Sequence, residues 1–276
     1  MSPTIIKFDI HTHHERCGHA DGQIEAYIKS AIEQNLKAIG ISDHSPYFGH
    51  KEDHPFPNIT MARSEFPNYV KQILELKQKY SNQIDVLLGV ESDFFPKYAH
   101  IYKEQFSQYP FDYIIGSVHH VNEVSIFNKT RWKKLDQKGL IKTKEAYYEL
   151  IAQSAKSGMF QILGHIDAMK AYYPDFSHIP ANHAVDHALK TIAEHQVAIE
   201  VNTSGKTKLV GGWYPSAEIL ERAFHFGVNI SFGSDAHTPS RVSEDFEDVA
   251  KLLKQIGYSN WVYYKQKQKI EVPIDL

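Results

Sequence analysis

Residues 5–13 read IIKFDIHTH, a β-branched and aromatic run that leads directly into Asp9, His11 and His13. Such a run favours a buried strand, because branched and aromatic side chains pack well on a pleated surface. His11 and His13 are two positions apart, which places both imidazoles on one face of a strand. A lone pair of this kind is equally compatible with an ordinary half-exposed strand, so the other strand ends decide its meaning.

The rest of the chain repeats this arrangement. Short β-branched runs alternate with longer amphipathic segments, a pattern typical of βα units around a parallel sheet. The pattern predicts an α/β protein with seven core strands, at residues 5–10, 38–42, 85–90, 113–118, 161–164, 198–201 and 229–233. It predicts helices near residues 23–35, 61–80, 144–157, 182–195, 216–226 and 244–256.

Three further features bear on organisation. The WVYY run at residues 261–264 is compatible with an eighth strand or an edge addition. Residues 122–142 contain no clear element, so we expect a surface excursion there. No low-complexity linker or repeat divides the chain. We therefore predict a single domain over residues 1–276.

The composition excludes several classes of protein. The formal net charge of -3 argues against a non-specific nucleic-acid binder. No cationic segment leads into an apolar run at the N-terminus, and no apolar run is long enough to span a bilayer, so we expect neither a signal peptide nor a membrane anchor. The lone Cys17 forms no internal disulfide, which fits a reducing compartment, and we predict a cytoplasmic protein. No oligomeric state is predicted.

Polar side chains follow every predicted strand. In a parallel barrel the carboxyl ends of the strands converge on one face, where barrel enzymes place their chemistry. Buried imidazoles and carboxylates cost free energy unless they are hydrogen-bonded, paired or ligated to metal. The side chains at these ends are Asp9, His11, His13, Asp43, His44, Glu91, Asp93, His119, His120, His165, Asp167, Asn202, Asp235 and His237. Their joint occurrence predicts a metal centre.

The ligand types constrain the metal. Imidazole and carboxylate suit Zn²⁺, Mn²⁺ or Fe²⁺, and so many nitrogen ligands disfavour Mg²⁺ and Ca²⁺. The set is too large for one catalytic ion with an open position, so two or three divalent ions are expected, with Glu91 able to bridge two of them. A metal-storage or metal-sensing module would show the same residue types, and phosphate-ester turnover with added metal would separate it from an enzyme.

Seven segments resemble the polymerase and histidinol phosphatase (PHP) family, and within it the stand-alone bacterial type that acts on histidinol phosphate. They are HTHHERCGHA at 11–20, ISDHSP at 41–46, GVES at 89–92, GSVHH at 116–120, LGHID at 163–167, EVNTSG at 200–205 and FGSDAH at 232–237. The resemblance runs from Asp9 to about Arg241. It implies a distorted seven-stranded β/α barrel, similar to a TIM barrel, that holds up to three metals.

Carried over by position, the resemblance implies nine metal ligands. One ion would be held by His11, His13 and Asp235, and Glu91 would bridge it to a second, completed by His119 and His165. A third ion would be held by His19, His44 and His237. His14 and His120 have the opposite side-chain parity to their ligand neighbours and are left out of the metal set.

The same resemblance implies a phosphatase. The expected reaction is hydrolysis of L-histidinol phosphate to L-histidinol and phosphate, in histidine biosynthesis, by attack of a metal-bridging hydroxide. The expected catalytic residues are Asp235, which would orient the nucleophile or accept its proton, with Glu91 and Arg16. The alternative is a phosphoesterase of the same family that acts on nucleotides or other small phosphate esters.

Substrate-binding residues are predicted from charge and position. Arg16, Lys206 and Lys170 are candidate phosphate contacts, although a solvated role suits either lysine equally well. Relatives often carry an arginine at the position that Thr207 occupies here, so this chain departs from the family pattern next to Lys206. Glu15, Asp43 and Asp93 are candidate partners for the ammonium and imidazole of the substrate, and Asn202 is a further candidate contact.

Overall fold

The computed structural model describes residues 6–275, and short strands alternate with helices throughout that range. The strands are β1 (Phe8–Asp9), β2 (Ala38–Ile41), β3 (Asp85–Leu88), β4 (Glu91–Asp93), β5 (Ile115–Ser117), β6 (His120–Val121), β7 (Val124–Ser125), β8 (Ile162–Leu163), β9 (Ala198–Asn202), β10 (Asn229–Gly233), β11 (Asn260–Lys265) and β12 (Gln268–Pro273). The helices are α1 (Ile24–Glu33), α2 (Phe66–Lys79), α3 (Ala99–Ser107), α4 (Gln137–Lys156), α5 (Asn182–Glu194), α6 (Ala217–His225) and α7 (Phe246–Ile256). Ile5, the start of the first predicted strand, lies outside the described residues.

The parallel strands form two sheets. One has three strands in the order β1-β2-β3, and the other has five in the order β10-β9-β8-β5-β4. All neighbours within these sheets are parallel. The predicted α/β class with a parallel arrangement is therefore confirmed, whereas the count of seven strands in one sheet is wrong.

The difference arises at the third predicted strand. The chain leaves β3 at Leu88 and enters the second sheet at Glu91 as β4, a strand that lies after the predicted span 85–90 and was not predicted. Gly89 N–H still bonds Ile41 O at 2.9 Å, while Glu91 is in register with Ile115. The Tyr113 ring lies against this crossing point, where a Cβ built on Gly89 would be 2.4 Å from Tyr113 Cζ. Only glycine fits that approach.

The helices agree with the sequence except in two places. Helix α3 was not predicted, because its nine residues show little apolar periodicity. Helix α4 begins at Gln137, before the predicted start near residue 144, since the Asp136 side chain caps it by accepting from Gly139 N at 2.7 Å. The predicted surface excursion at 122–142 is consequently shorter, and it opens with the β6–β7 hairpin.

The WVYY segment belongs to an antiparallel hairpin, β11–β12, outside the parallel sheets. Trp261 is fully buried, with its ring 4.3 Å from Phe246 and 5.2 Å from Phe8 between centroids. These rings belong to one hydrophobic cluster whose members run from Phe8 to Ile274. Among residues 6–275, no helix combines the length and apolar composition needed to cross a bilayer.

Candidate metal centre

Glu91 lies at the middle of the polar side chains that follow the strands. It begins β4 and is buried. Its Oε2 faces three imidazoles, 2.9 Å from His44 Nδ1, 3.5 Å from His11 Nε2 and 3.6 Å from His13 Nε2. This oxygen therefore faces residues that follow two different strands, β1 and β2.

The other oxygen of Glu91 faces a second pair of histidines. Oε1 is 2.9 Å from His165 Nε2 and 3.6 Å from His119 Nε2, and the two imidazole nitrogens are 3.3 Å apart. Ser117 Oγ donates to the same oxygen at 2.6 Å. One carboxylate thus joins two groups of imidazoles, which is the arrangement a bridging ligand requires.

A third group lies beside the first. The His13 ring stacks on His237 with centroids 4.3 Å apart, and the His19 ring is 4.9 Å from His237 and 5.3 Å from His44. Asp235 Oδ1 is 3.0 Å from His13 Nε2 and 3.8 Å from His11 Nε2. All nine predicted ligands therefore lie in one cluster, and His14 lies behind it, with Nε2 3.3 Å from Asp43 Oδ2.

The imidazoles are oriented through their outer nitrogens. A partner on the nitrogen that faces away from the centre fixes the ring and its tautomer, as is usual for metal-binding histidines. The pairs are His11 Nδ1–Glu200 Oε2 at 2.9 Å, His13 Nδ1–Asp43 Oδ1 at 3.1 Å, His119 Nδ1–Asp93 Oδ1 at 2.9 Å, His19 Nδ1–Cys17 O at 3.2 Å and His237 Nδ1–Asp235 O at 2.9 Å.

The inner atoms of the cluster fit a cation. Among residues 6–275, no hydrogen bond of good geometry reaches the buried Nε2 atoms of His11 and His13 or the buried Oε2 of Glu91. Groups that would hold one ion recur, since ligand atoms of His11, His13 and Glu91 lie within 4.8 Å of one another, as do those of His13, His44 and His237. Such buried polar atoms are costly unless a charge satisfies them.

The charges in the cluster act in the same direction. Burial disfavours ionised Glu91, but His44, His11 and His119 outweigh it and hold its pKa well below the usual range. Burial likewise disfavours a charged His11, but Glu200, Asp235 and Glu91 outweigh it and hold the His11 pKa well above the usual range. The centre therefore keeps its carboxylates ionised and attracts positive charge.

The two more peripheral histidines behave differently. Burial lowers the pKa of His237 to about 3 and that of His19 to about 4, with neighbouring imidazoles adding to the effect. Both rings are therefore neutral near pH 7. A neutral imidazole is the form that donates a lone pair to a metal.

The cluster forms the floor of a cleft of about 600 Å³. Its walls combine aromatic and aliphatic side chains with two cations, Lys208 and Arg241. Tyr47, Phe127, Tyr172 and Tyr214 supply most of the aromatic surface. The size and the mixed lining suit a small ligand with one apolar and one anionic part.

The predicted phosphate cations do not line this cleft. Arg16 Nε is 3.6 Å from Glu65, and Lys206 Nζ is 2.9 Å from Asp245. Lys170 is buried, with Nζ 2.7 Å from Asp167 and 2.9 Å from Trp213 O. Each is engaged elsewhere. Arg241 and Lys208 were missed by the sequence reasoning, although Arg241 lies only four residues after His237.

The predicted partners of the substrate ammonium also lie elsewhere. Glu15 is exposed outside the cleft. Asp43 and Asp93 are buried behind His13 and His119, and Tyr47 also donates to Asp93 at 2.9 Å. Asp43 and Asp93 orient imidazoles of the cluster, so the prediction that they bind the ammonium or imidazole of the substrate is wrong.

Asn202 and Glu200 lie beneath the cluster. Asn202 is fully buried, and its Nδ2 donates to Glu200 at 2.7 Å and to Asp235 at 3.3 Å. It therefore holds other polar groups instead of facing the cleft. Glu200 was not predicted, because it lies within a strand and the predicted site residues follow the strands. A charged residue inside the apolar run AIEVN nevertheless indicates a buried carboxylate.

Comparison with known proteins shows the family of the chain. The family described as "PHP domain" matches residues 9–204. A probable histidinol-phosphatase of Deinococcus radiodurans is 30% identical over 90% of this chain and 93% of its own length. The histidinol-phosphatase of Bacillus subtilis is 26% identical over 87% of this chain and 97% of its own length.

A solved structure shares the fold. The histidinol phosphate phosphatase of Lactococcus lactis, complexed with zinc, L-histidinol and phosphate, matches with a TM-score of 0.78 at 17% identity. The match covers 97% of this chain and 100% of that one. With its cluster of histidines and carboxylates at the strand ends, the chain belongs to the PHP family.

Proposed function

We propose that the chain is a metal-dependent phosphomonoesterase that hydrolyses L-histidinol phosphate to L-histidinol and phosphate. The observation that carries the proposal is Glu91, whose two oxygens face two separate groups of histidines at the floor of the cleft. The histidinol-phosphatases of Deinococcus radiodurans and Bacillus subtilis, similar over nearly the whole chain, support the choice of substrate.

The proposed centre holds two to three divalent ions, Zn²⁺, Mn²⁺ or Fe²⁺. His11, His13 and Asp235 would hold the first, His119 and His165 the second with Glu91 between them, and His19, His44 and His237 the third. Ions bound there acidify water and place positive charge beside the phosphoryl oxygens. The zinc in the Lactococcus lactis structure supports a metal of this type.

The chain itself would orient the nucleophile through Asp235. This carboxylate faces the cleft, and its Oδ2 is held by Ser204 Oγ at 2.8 Å and by Asn202 Nδ2 at 3.3 Å. Its Oδ1 remains directed at His13. Because one oxygen is fixed from behind, the other is oriented to hold the attacking water or to accept its proton.

The walls of the cleft would bind the two ends of the substrate. Lys208 and Arg241 are the cations that line it, so we assign them to the phosphate. Phe127 and Tyr172 present aromatic surface that suits the imidazole of the leaving group.

We further propose that the two parallel sheets are parts of one distorted barrel and that residues 1–276 form one domain. Backbone hydrogen bonds from Ile10 N to Phe232 O at 3.3 Å and from His13 N to Ala236 O at 2.9 Å support the barrel.

Phosphate release from L-histidinol phosphate, compared with nucleotide and sugar phosphates in the presence of Zn²⁺ or Mn²⁺, tests the proposal. We expect a preference of about a hundredfold in kcat/KM, which corresponds to about 2.7 kcal/mol in the transition state. Equal rates, or faster release from nucleotides, would leave a PHP phosphoesterase with another substrate. No phosphate release from metal-loaded protein would overturn the proposal that the chain is a phosphatase.

A further inference from the structure

Glu200 is a buried carboxylate that the metal-ligand set does not include. It lies in β9, between β8 and β10, and has no exposed surface. One glycine leaves room for it. A Cβ built on Gly233 would be 2.5 Å from Glu200 Oε2, so this position of β10 carries no side chain where the carboxylate lies.

The carboxylate contacts two candidate ligands. His11 Nδ1 is 2.9 Å from Oε2 and 3.0 Å from Oε1. The backbone N–H of His165 donates to Oε1 at 3.1 Å. His11 belongs to the proposed first ion and His165 to the proposed second, so Glu200 touches both halves of the centre.

Each contact has a consequence for metal binding. A carboxylate only accepts hydrogen bonds, so Nδ1 of His11 donates to Glu200, and Nε2, which lies beside Glu91 and Asp235, is the nitrogen that an ion would bind. His165 has φ 28, a strained backbone conformation for a residue with a side chain. The hydrogen bond from its N–H to Glu200 helps to hold that conformation, and with it the direction of the imidazole.

A third contact extends the same connection. Asn202 Nδ2 donates to Glu200 Oε1 at 2.7 Å and to Asp235 Oδ2 at 3.3 Å. By comparison, Asp93 holds one ligand imidazole, His119, and Asp43 holds the His13 imidazole and the backbone N–H of His44, which belong to the proposed first and third ions. Glu200 is thus linked to His11, His165 and Asp235 together.

We propose that Glu200 is a positioning residue that sets the geometry of the first and second ion sites jointly. This inference rests on the proposed metal centre and adds a residue that binds neither ion nor substrate. Groups that orient metal ligands change metal affinity about 10- to 100-fold when they are replaced.

The test is the zinc affinity of Glu200→Gln, measured by competition with a chromophoric chelator and without any phosphate ester. We expect zinc to bind about 10- to 100-fold more weakly than in the wild type. Asp112→Asn is the matched control, because Asp112 is also buried and accepts backbone hydrogen bonds, from Leu88 N at 2.8 Å and Gln266 N at 2.9 Å. It precedes β5, at the end opposite His119, and should keep wild-type affinity.

A purely structural role would lower the melting temperature of metal-free Glu200→Gln and leave its zinc affinity unchanged, which would overturn the proposal. An equal loss of affinity in Asp112→Asn would also overturn it. If Glu200→Gln does not fold, Glu200→Asp, which keeps the charge but shortens the reach, gives the same comparison. Wild-type protein that binds zinc but does not hydrolyse histidinol phosphate would contradict only the proposed substrate and would leave the proposal for Glu200 standing.

Discussion

Glu91 and Asp112 are buried carboxylates that are used differently: the Glu91 side chain, from β4, contacts Ser117 at the end of β5, whereas Asp112 precedes the start of β5. Asp112 accepts hydrogen bonds from the backbone N–H groups of Leu88 and Gln266 and pairs with Lys77. Glu91 is surrounded by imidazoles, and within residues 6–275 no hydrogen bond of good geometry reaches its Oε2. A satisfied carboxylate stabilises the fold, whereas an unsatisfied one indicates a position prepared for a cation.

The surroundings of the two residues extend this contrast. Next to Asp112, the turn of the β11–β12 hairpin packs against the start of the sheets. Lys267 N donates to Asp112 O at 2.8 Å, and Lys265 Nζ lies 2.8 Å from Asp85. Next to Glu91 lies a cleft of about 600 Å³. In the proposed barrel, Glu91 would lie on the face that carries the chemistry and Asp112 on the opposite face, which contributes to stability.

Removal of metal should have the largest effect. Dialysis against a strong chelator should abolish phosphatase activity and lower the melting temperature, because ligand at about 100 times its Kd stabilises the folded state by about 2.7 kcal/mol. Activity assays and thermal melts before and after addition of Zn²⁺ or Mn²⁺ measure both effects. Full activity of the metal-free protein would contradict the claim that the position around Glu91 is prepared for a cation.

Glu91→Gln should come next. The amide keeps the shape of the side chain but removes the charge that faces both groups of histidines, so we expect kcat/KM to fall about 10³-fold, or about 4 kcal/mol. Steady-state kinetics with saturating metal measure the loss, and bound metal per chain shows whether an ion is lost with it. A loss below about tenfold would show that Glu91 does not bridge the two groups.

Arg241→Gln should have an intermediate effect. A charge-assisted hydrogen bond to phosphate contributes about 1.5–3 kcal/mol, so kcat/KM should fall about 10- to 100-fold with bound metal unchanged. Arg222→Gln is the matched control, since Arg222 pairs with Asp186 at 2.6 Å and lies outside the cleft. Equal kinetics of the two variants would remove Arg241 from the phosphate site.

Asp112→Asn should have the smallest effect on activity. The amide keeps one acceptor but leaves Lys77 without its partner, so the free energy of unfolding should fall by about 1–3 kcal/mol. Urea unfolding measures this change, and kcat/KM for histidinol phosphate should stay within about twofold of the wild type. A large loss of activity in the folded variant would show that the two ends of β5 are coupled.

Much of this protein follows from the order of its residues. Apolar runs that end in histidine or carboxylate predicted the parallel strands and eight of the nine clustered side chains, because residues that follow parallel strands must meet at one edge. The ninth, His19, lies in the loop after the first strand and was predicted only from the family resemblance. Helix positions were predicted within a few residues where the apolar period was clear, as in α5 and α7. Helix α3, whose period is weak, was missed.

Only the tertiary structure decided which charges reach the cleft. Arg16, Lys206 and Lys170 pair with carboxylates outside the cleft, whereas Lys208 and Arg241 line its walls. Arg241 also pairs with a carboxylate, Glu244, at 2.6 Å, so no local pattern distinguishes the two sets. Tyr113 packs against Gly89 where the chain passes from one sheet to the other, and Glu200 occupies the space beside Gly233. Sequence determines which side chains end each strand, but long-range packing determines the partner of each charge, because that partner is set by the approach of segments far apart in the chain.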